Sequence, residues 1–221
     1  MQVRAEQVTV RGPHGPLLPP TSMRVADGQL AVVSGEPTEG HTALALALAG
    51  RIKPHEGVVT LDDTQAPARL RALTAIVDSP EVTEPDEALR LSEVVAEGLA
   101  LAGRGQGRKA VAAWLAEHDL ERHARDRVEN LPPDLRTAVL TELAVAREGV
   151  RLLVFDRPDR HTSNPQSWWP LALRHAQHGM AVVVLCLTSA ARLLPVPAAQ
   201  LGRADQPAPL TVGQPVPGAL S

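Results

Sequence analysis

The sequence predicts an α/β fold with a β-rich start, a helical insertion and a return to alternating strands and helices. Three observations carry this expectation. Short apolar runs such as "VRLLVFD" and "MAVVVLCL" read as buried strands of the parallel type. Helical patterns lie between them. The stretch "GEPTEGHTAL", residues 35–44, follows the apolar run "QLAVVS" and opens a helix, the order of a strand–loop–helix anion cradle.

In chain order, "EQVTVRG" alternates polar and β-branched residues, as a half-buried strand does. "GPHGPLLPP" reads as a turn or hairpin loop. "TSMRVADGQLAVVSG" reads as a strand, a turn at Asp27-Gly28 and a buried strand. Residues 42–49 are strong helix formers, and Gly50 ends them. A turn at Pro54–Gly57 leads to a short strand over 58–61, and "LRALTAIVDS" reads as a further strand. Two amphipathic helices follow, "DEALRLSEVVAEGLALAG" and "RKAVAAWLAEHDL", joined by the glycine-rich "GRGQGR". "PDLRTAVLTELAVAR" is a helix entered through Pro132 and Pro133. "VRLLVFD" is a strand ending in Asp156, "SWWPLALRHAQHG" a helix, "MAVVVLCL" a strand and "SAARLL" a short helix. Residues 1–204 read as one domain with a helical subdomain over about 81–135, and 205–221 as a loose Pro-rich tail.

Composition narrows the function classes. At 221 residues and 44% apolar the chain can bury a substantial core, and its net charge of −3 gives no sign of nucleic-acid binding. A single cysteine, Cys186, forbids an internal disulfide and fits a reducing compartment. No apolar run approaches the roughly 18 residues of a membrane span, and the N-terminus lacks the apolar stretch of a signal peptide.

The loop approaches the phosphate-cradling pattern G-x-x-x-x-G-K-[ST]. Gly35 and Gly40 occupy the glycine places, and Thr42 could set a hydroxyl on Mg²⁺. His41 stands where the pattern requires Lys. A neutral imidazole supplies none of the charge that an ammonium brings to the β- and γ-phosphates. Pro37 removes an N–H, and Glu36 and Glu39 add negative charge.

The surrounding framework extends the pattern. "VADGQLAVVSGEPTEGHTALALALAGRIKPHEGVVTLDD" resembles the start of an ATP-binding cassette (ABC) domain, with Gly28, Gly50, Pro54 and Gly57 in the framework places. "GRKAVAAWLAEHDLERHARDRVENLPPDL" resembles the family's helical subdomain, and "RLLVFDRPD" its acidic motif. The resemblance spans about residues 3–204 and implies a P-loop NTPase-like core with a small β subdomain and an inserted helical subdomain.

Set against the same family, the chemistry-bearing positions are altered. The signature Leu-Ser-Gly-Gly-Gln is "LPPDL" here, Leu131–Leu135, so a hydroxyl and two glycines are lost. The catalytic Glu is Arg157, which cannot act as a general base. Asp156 is retained. The water-polarising His falls at Leu187 or Thr188, the Mg²⁺-sensing Gln at Ser79, and the Asp after the acidic motif near Ser163. The adenine-stacking aromatic is missing, and His14 is the only ring in its stretch.

The resemblance therefore implies a degenerate ATP-binding subunit of a transporter-like complex. It implies cofactor contacts from Gly35, Gly40, His41, Thr42, Asp156 and Arg157, metal contacts from Thr42 and Asp156, and no catalytic residue. ATP with Mg²⁺ would bind weakly or not at all. The partners implied are a membrane permease and a second cassette subunit, in a homo- or heterodimer at the cytoplasmic face of the cell membrane. Two alternatives stay open: a soluble pseudo-ATPase scaffold, and a non-standard ATPase in which Arg157 supplies the missing charge. A protonated His41 would make nucleotide affinity rise as pH falls. Two further features carry structural expectations: His175 and His178 as surface residues of one helix, and Trp168-Trp169 as packing.

Overall fold

The computed structural model describes residues 1–38 and 40–212. Strands β1 (Gln2–Gly12), β2 (Gly15–Ala26) and β4 (Glu56–Leu61) form an antiparallel sheet in the order β2-β1-β4. The second sheet runs β5 (Thr74–Val77), β6 (Leu152–Asp156), β7 (Ala181–Leu187), β3 (Gln29–Gly35) and β8 (Ala199–Gln200), with neighbouring strands parallel. A short β9 (Leu210–Thr211) returns antiparallel to β3.

The parallel strands are mostly apolar because both faces are covered. Ala31, Val33, Val154, Val183 and Leu185 face the antiparallel sheet and helix α1 (Gly40–Leu48). Leu30, Val32, Phe155, Val182 and Val184 face helix α6 (Trp169–Gln177), where Trp168 and Trp169 pack. Seven of the nine α1 residues are buried, which accounts for its nearly all-apolar sequence. A third core joins α3 (Leu91–Leu101), α4 (Arg108–Glu117) and Val139 and Leu143 of α5 (Pro133–Val145), so the inserted helices form a layer of their own.

Three segments depart from the sequence reading. "GPHGPLLPP" is mostly strand: β1 and β2 pair up to Gly12 and Gly15 around a two-residue turn. Pro16, Pro19 and Pro20 fit because β2 is an edge strand, where a missing N–H breaks no ladder. "LRALTAIVDS" is not one strand, because α2 (Pro67–Leu73) takes its first half. Pro67 opens that helix at a position that needs no N–H, and Thr74 ends it in extended backbone. Residues 210–211 of the expected loose tail are β9, while 213–221 lie outside the described residues.

Gly57 fixes how the antiparallel sheet bends. The β1 register shifts between Glu6 and Thr9, and Gln7 carries a positive φ. Opposite this bulge, Gly57 has φ +77° and so little room that a Cβ would lie 2.3 Å from the Glu6 and Gln7 carbonyl oxygens. Gly28 also has a positive φ, +72°, but nothing lies within 4 Å of its missing Cβ. Gly28→Ala should therefore cost about 1 kcal/mol from backbone strain, and Gly57→Ala more than twice that. Urea unfolding of both variants checks the difference, and equal midpoints would contradict it.

Candidate functional site

Parallel strands bring their carboxyl ends to one edge, where ligands of open α/β sheets sit. Gly35 pairs with Leu187 and Asp156 with Leu185, so the loop after β3, the end of β6 and the end of β7 are adjacent. Residues 78 and 79 follow β5 at the same edge.

Asp156 gathers the predicted metal contacts. Its Oδ2 accepts from Thr42 Oγ1 at 2.7 Å and from Ser79 Oγ at 2.6 Å. Asp156 is 1% exposed, and its Oδ1 has no partner among the described residues. A buried, unpartnered carboxylate oxygen beside two hydroxyls is a hard-oxygen set of the kind Mg²⁺ takes. These residues fit the ion that the sequence resemblance implies, and Ser79 joins Thr42 and Asp156 in the set.

His41 does not replace the missing cation. Its ring is fully buried, with Nε2 3.0 Å from the Cys186 carbonyl oxygen, which requires a proton on that nitrogen. Burial lowers its pKa. The Cys186 and Thr38 carbonyls and the Asp156 charge oppose that shift only in part, and Arg157 adds to it. The imidazole is therefore neutral at pH 7. Its packing also explains Gly35, since a Cβ there would lie 3.2 Å from His41 Nε2 and 2.7 Å from Leu201 Cδ1. At Gly40 a Cβ would lie 3.0 Å from the Leu17 carbonyl oxygen. A Cβ at Gly35 would press on the tips of the Leu201 and His41 side chains, and one at Gly40 on a backbone carbonyl, so both places are crowded from within the chain.

Elsewhere in the loop, Gly40 N–H donates to Thr38 Oγ1 at 3.3 Å, and Glu36 accepts from Thr188 Oγ1 at 3.2 Å. Glu39 lies outside the described residues. Arg157 follows Asp156 in the left-handed region, at φ +52°, a strained conformation for a side-chain-bearing residue. Its N–H donates to the Leu185 carbonyl at 2.8 Å, and its buried Nε has no partner among the described residues. "LPPDL" leads into α5, with Pro132 as N-cap and Pro133 in the first turn, so neither offers an N–H to an anion. His14 is exposed in the β1–β2 turn.

Sequence reasoning missed the most heavily charged cluster. Asp78 is 7% exposed and has φ +52°. Arg136 grips it with a fork, Nε to Oδ2 and an outer nitrogen to Oδ1, both at 2.9 Å. Arg160 donates to Oδ1 at 2.9 Å, and His161 Nε2 lies 3.0 Å from Oδ2. Arg136 also reaches Glu87, and Arg160 reaches Glu84, each at 2.8 Å. Burial alone would raise the Asp78 pKa. His161, Arg136 and Arg160 outweigh it and hold the carboxyl well below the usual range. Arg136 is 58 residues from Asp78 in the chain, so no local spacing announces the pair.

His175 and His178 fare differently from one another. His175 is buried rather than on the surface, because it sits on the core face of α6, and His178 is exposed. Burial lowers the His175 pKa, offset in part by Glu142. No metal-binding cluster of His, Cys, Asp and Glu occurs among the described residues. Trp168 and Trp169 are packed, as expected.

The fold has solved counterparts. An ATP-binding subunit of an ABC transporter aligns with a TM-score of 0.63 and 17% identity, over 96% of this chain and 90% of its own. The chain has the ATP-binding cassette fold. A nucleotide-free ATP-binding cassette from an ABC transporter aligns at TM-score 0.60 and 17% identity, over 84% of this chain and 81% of its own. The cbiO1 protein of Clostridium perfringens, part of the ABC transporter complex cbiONQ, gives the same score and identity over 84% and 77%. No protein-family model and no curated protein sequence matches the chain. The cassette fold is thus kept at 17% identity to each of these three structures.

The buried histidines and Asp78 set an acid limit on stability. A base whose pKa is lowered on folding stabilises most above its unfolded pKa, about 6.5 for His, and loses that contribution as pH falls. For His41 and His175 the loss begins below that value. Asp78, depressed in the folded state, contributes fully above about pH 4 and loses its share below it. Urea midpoints should therefore fall from pH 7 to 5 and again below 4. A midpoint constant from pH 8 to 4 would contradict these assignments.

Proposed function

We propose that this chain is a degenerate ATP-binding subunit: a cassette that holds Mg²⁺-nucleotide weakly, does not hydrolyse it, and serves a membrane permease structurally. The observation that carries this reading is the contrast between Asp156 and its surroundings. Thr42 and Ser79 keep an oxygen set around that carboxylate. Asp156, Thr42 and Ser79 would hold the ion, which supplies charge for the phosphates, while the amides at the start of α1 would face them. The described neighbours of this set differ from the family's catalytic groups. Arg157 stands where a general base is needed, and the neutral His41 is turned into the core.

A groove of about 590 Å³ between the helical layer and the parallel sheet supports the permease partnership. Val82, Leu89, Leu101 and Leu140 line it, with Arg147 and Glu97 beside them. Leu101 is 74% exposed and Val82 39%, an apolar surface suited to one face of a partner helix. No helix of the described residues is long and apolar enough to cross a membrane, so membrane attachment in this reading comes through the partner. Pairing with a second cassette subunit, identical or not, at the cytoplasmic face belongs to the same proposal.

One observation favours a second reading. The unpartnered Nε of Arg157 could hold a γ-phosphate in a non-standard ATPase. In that case Arg157→Ala abolishes nucleotide binding, whereas the first reading expects it to leave affinity within a few-fold.

Two measurements test the proposal. Purified protein with saturating MgATP should release phosphate at the background rate, and steady turnover would overturn the inactive reading. The protein should sediment with membranes of its own cells, and Leu101→Glu should move it to the soluble fraction without changing its unfolding midpoint. Wild-type protein found wholly in the soluble fraction would favour the scaffold alternative. Because His41 stays neutral, any nucleotide affinity should be flat between pH 8 and 6, and a rise towards pH 6 would show that it takes up a proton.

A further inference from the structure

We propose that a cavity between β2 and β3 is a second ligand site, built for a small zwitterion of amine and carboxylate: an amino acid or a very short peptide. The cavity has a volume of about 420 Å³, within the range of small-molecule sites. It shares no lining residue with the Asp156 site. Its origin is a break in strand pairing. β3 pairs with β9 at Gln29 and Leu30 and with β8 at Val33 and Ser34. Ala31 and Val32, between these pairings, line the cavity instead. Another wall is residues 22–24 of the edge strand β2.

The loop over residues 204–209 completes the lining and is held from within. The Gln206 side-chain amide donates to the Gln200 and Arg203 carbonyls at 2.7 and 2.9 Å, and its Oε1 accepts from the Gln200 N–H at 2.9 Å. Pro207 and Pro209 stiffen the same loop by fixing φ. The cavity is thus preformed, and a ligand entering it has little chain to order.

Charge selects the ligand. Arg4 and Arg24 are direct partners across β1 and β2, a juxtaposition of like charges that is unfavourable unless anions offset it. Both line the cavity. Glu6 takes Arg4, at 3.2 Å. Arg24 and Asp205, which also line it, enter no ion pair or side-chain hydrogen bond among the described residues. One cation on the strand and one anion on the loop are left over. A carboxylate suits the guanidinium, which can meet it with two parallel hydrogen bonds, and an ammonium answers Asp205. Met23 and Val32 offer apolar wall to an aliphatic side chain. A nucleotide, with several negative charges, would meet Glu6 and Asp205 and is disfavoured here.

Titration calorimetry of the full-length protein without nucleotide tests the site, with leucine and with the dipeptide of two leucines as probes. At least one should bind saturably below about 10 mM, and the tighter of the two identifies the source as free amino acid or short peptide. Capping either end of that ligand, as its amide or its N-acetyl form, should weaken binding about tenfold or more. Arg24→Gln and Asp205→Asn should each weaken the uncapped ligand by a similar factor. Arg11→Gln, at an exposed arginine outside the cavity, should leave affinity as it is, and all three variants should keep the wild-type unfolding midpoint. No saturable heat with either probe, capped ligands that bind as well as uncapped ones, or unchanged affinity in Arg24→Gln and Asp205→Asn would overturn the proposal.

Discussion

The carboxylate of Asp156 is the point on which the site depends. It ends a strand whose every residue is buried, and its Oδ2 accepts from two hydroxyls of different elements. Thr42 comes from the helix after the loop, and Ser79 from the turn after β5. A buried carboxylate with an unpartnered oxygen is costly unless something pairs with it. That cost identifies the place where a cation would be most at home. The parallel sheet brings these residues together, because its strands all deliver their carboxyl ends to one edge.

Around that point the chain has turned other groups inward. His41 hydrogen-bonds a carbonyl of the neighbouring strand rather than standing free over the loop. Its imidazole and Leu201 crowd the space beside Gly35. Arg160 and His161, in the turn after Asp156, face Asp78. Arg160 and His161 are thus paired within the chain, while Asp156 Oδ1 and Arg157 Nε have no partner among the described residues. Among the described residues, the resulting site combines a metal-fitting oxygen set with a polar loop whose imidazole is turned into the core.

Much of the fold was legible in the sequence because buried strands and an all-apolar helix leave continuous patterns. The order of strands, the loop and the helical insertion followed from those runs. Two failures have clear causes. The prolines of β2 disguise an edge strand as a loop, and α2 flows into β5 without a breaker between Leu73 and Thr74. Of the site, the resemblance to the cassette family pointed to Thr42, Ser79 and Asp156, whose oxygens the fold brings together. The inward turn of His41 was not, since a single letter does not report whether a ring is buried. Nor was the Asp78 cluster, whose partners are brought together only by the tertiary fold.

The central claim is that a metal-fitting frame persists without the cation that makes nucleotide binding tight. Titration calorimetry of the purified protein with ATP, in Mg²⁺ and again in EDTA, tests it most directly. The account predicts a Kd no tighter than about 100 µM that is lost when Mg²⁺ is removed. A Kd of a few micromolar or tighter, or one indifferent to Mg²⁺, would contradict it.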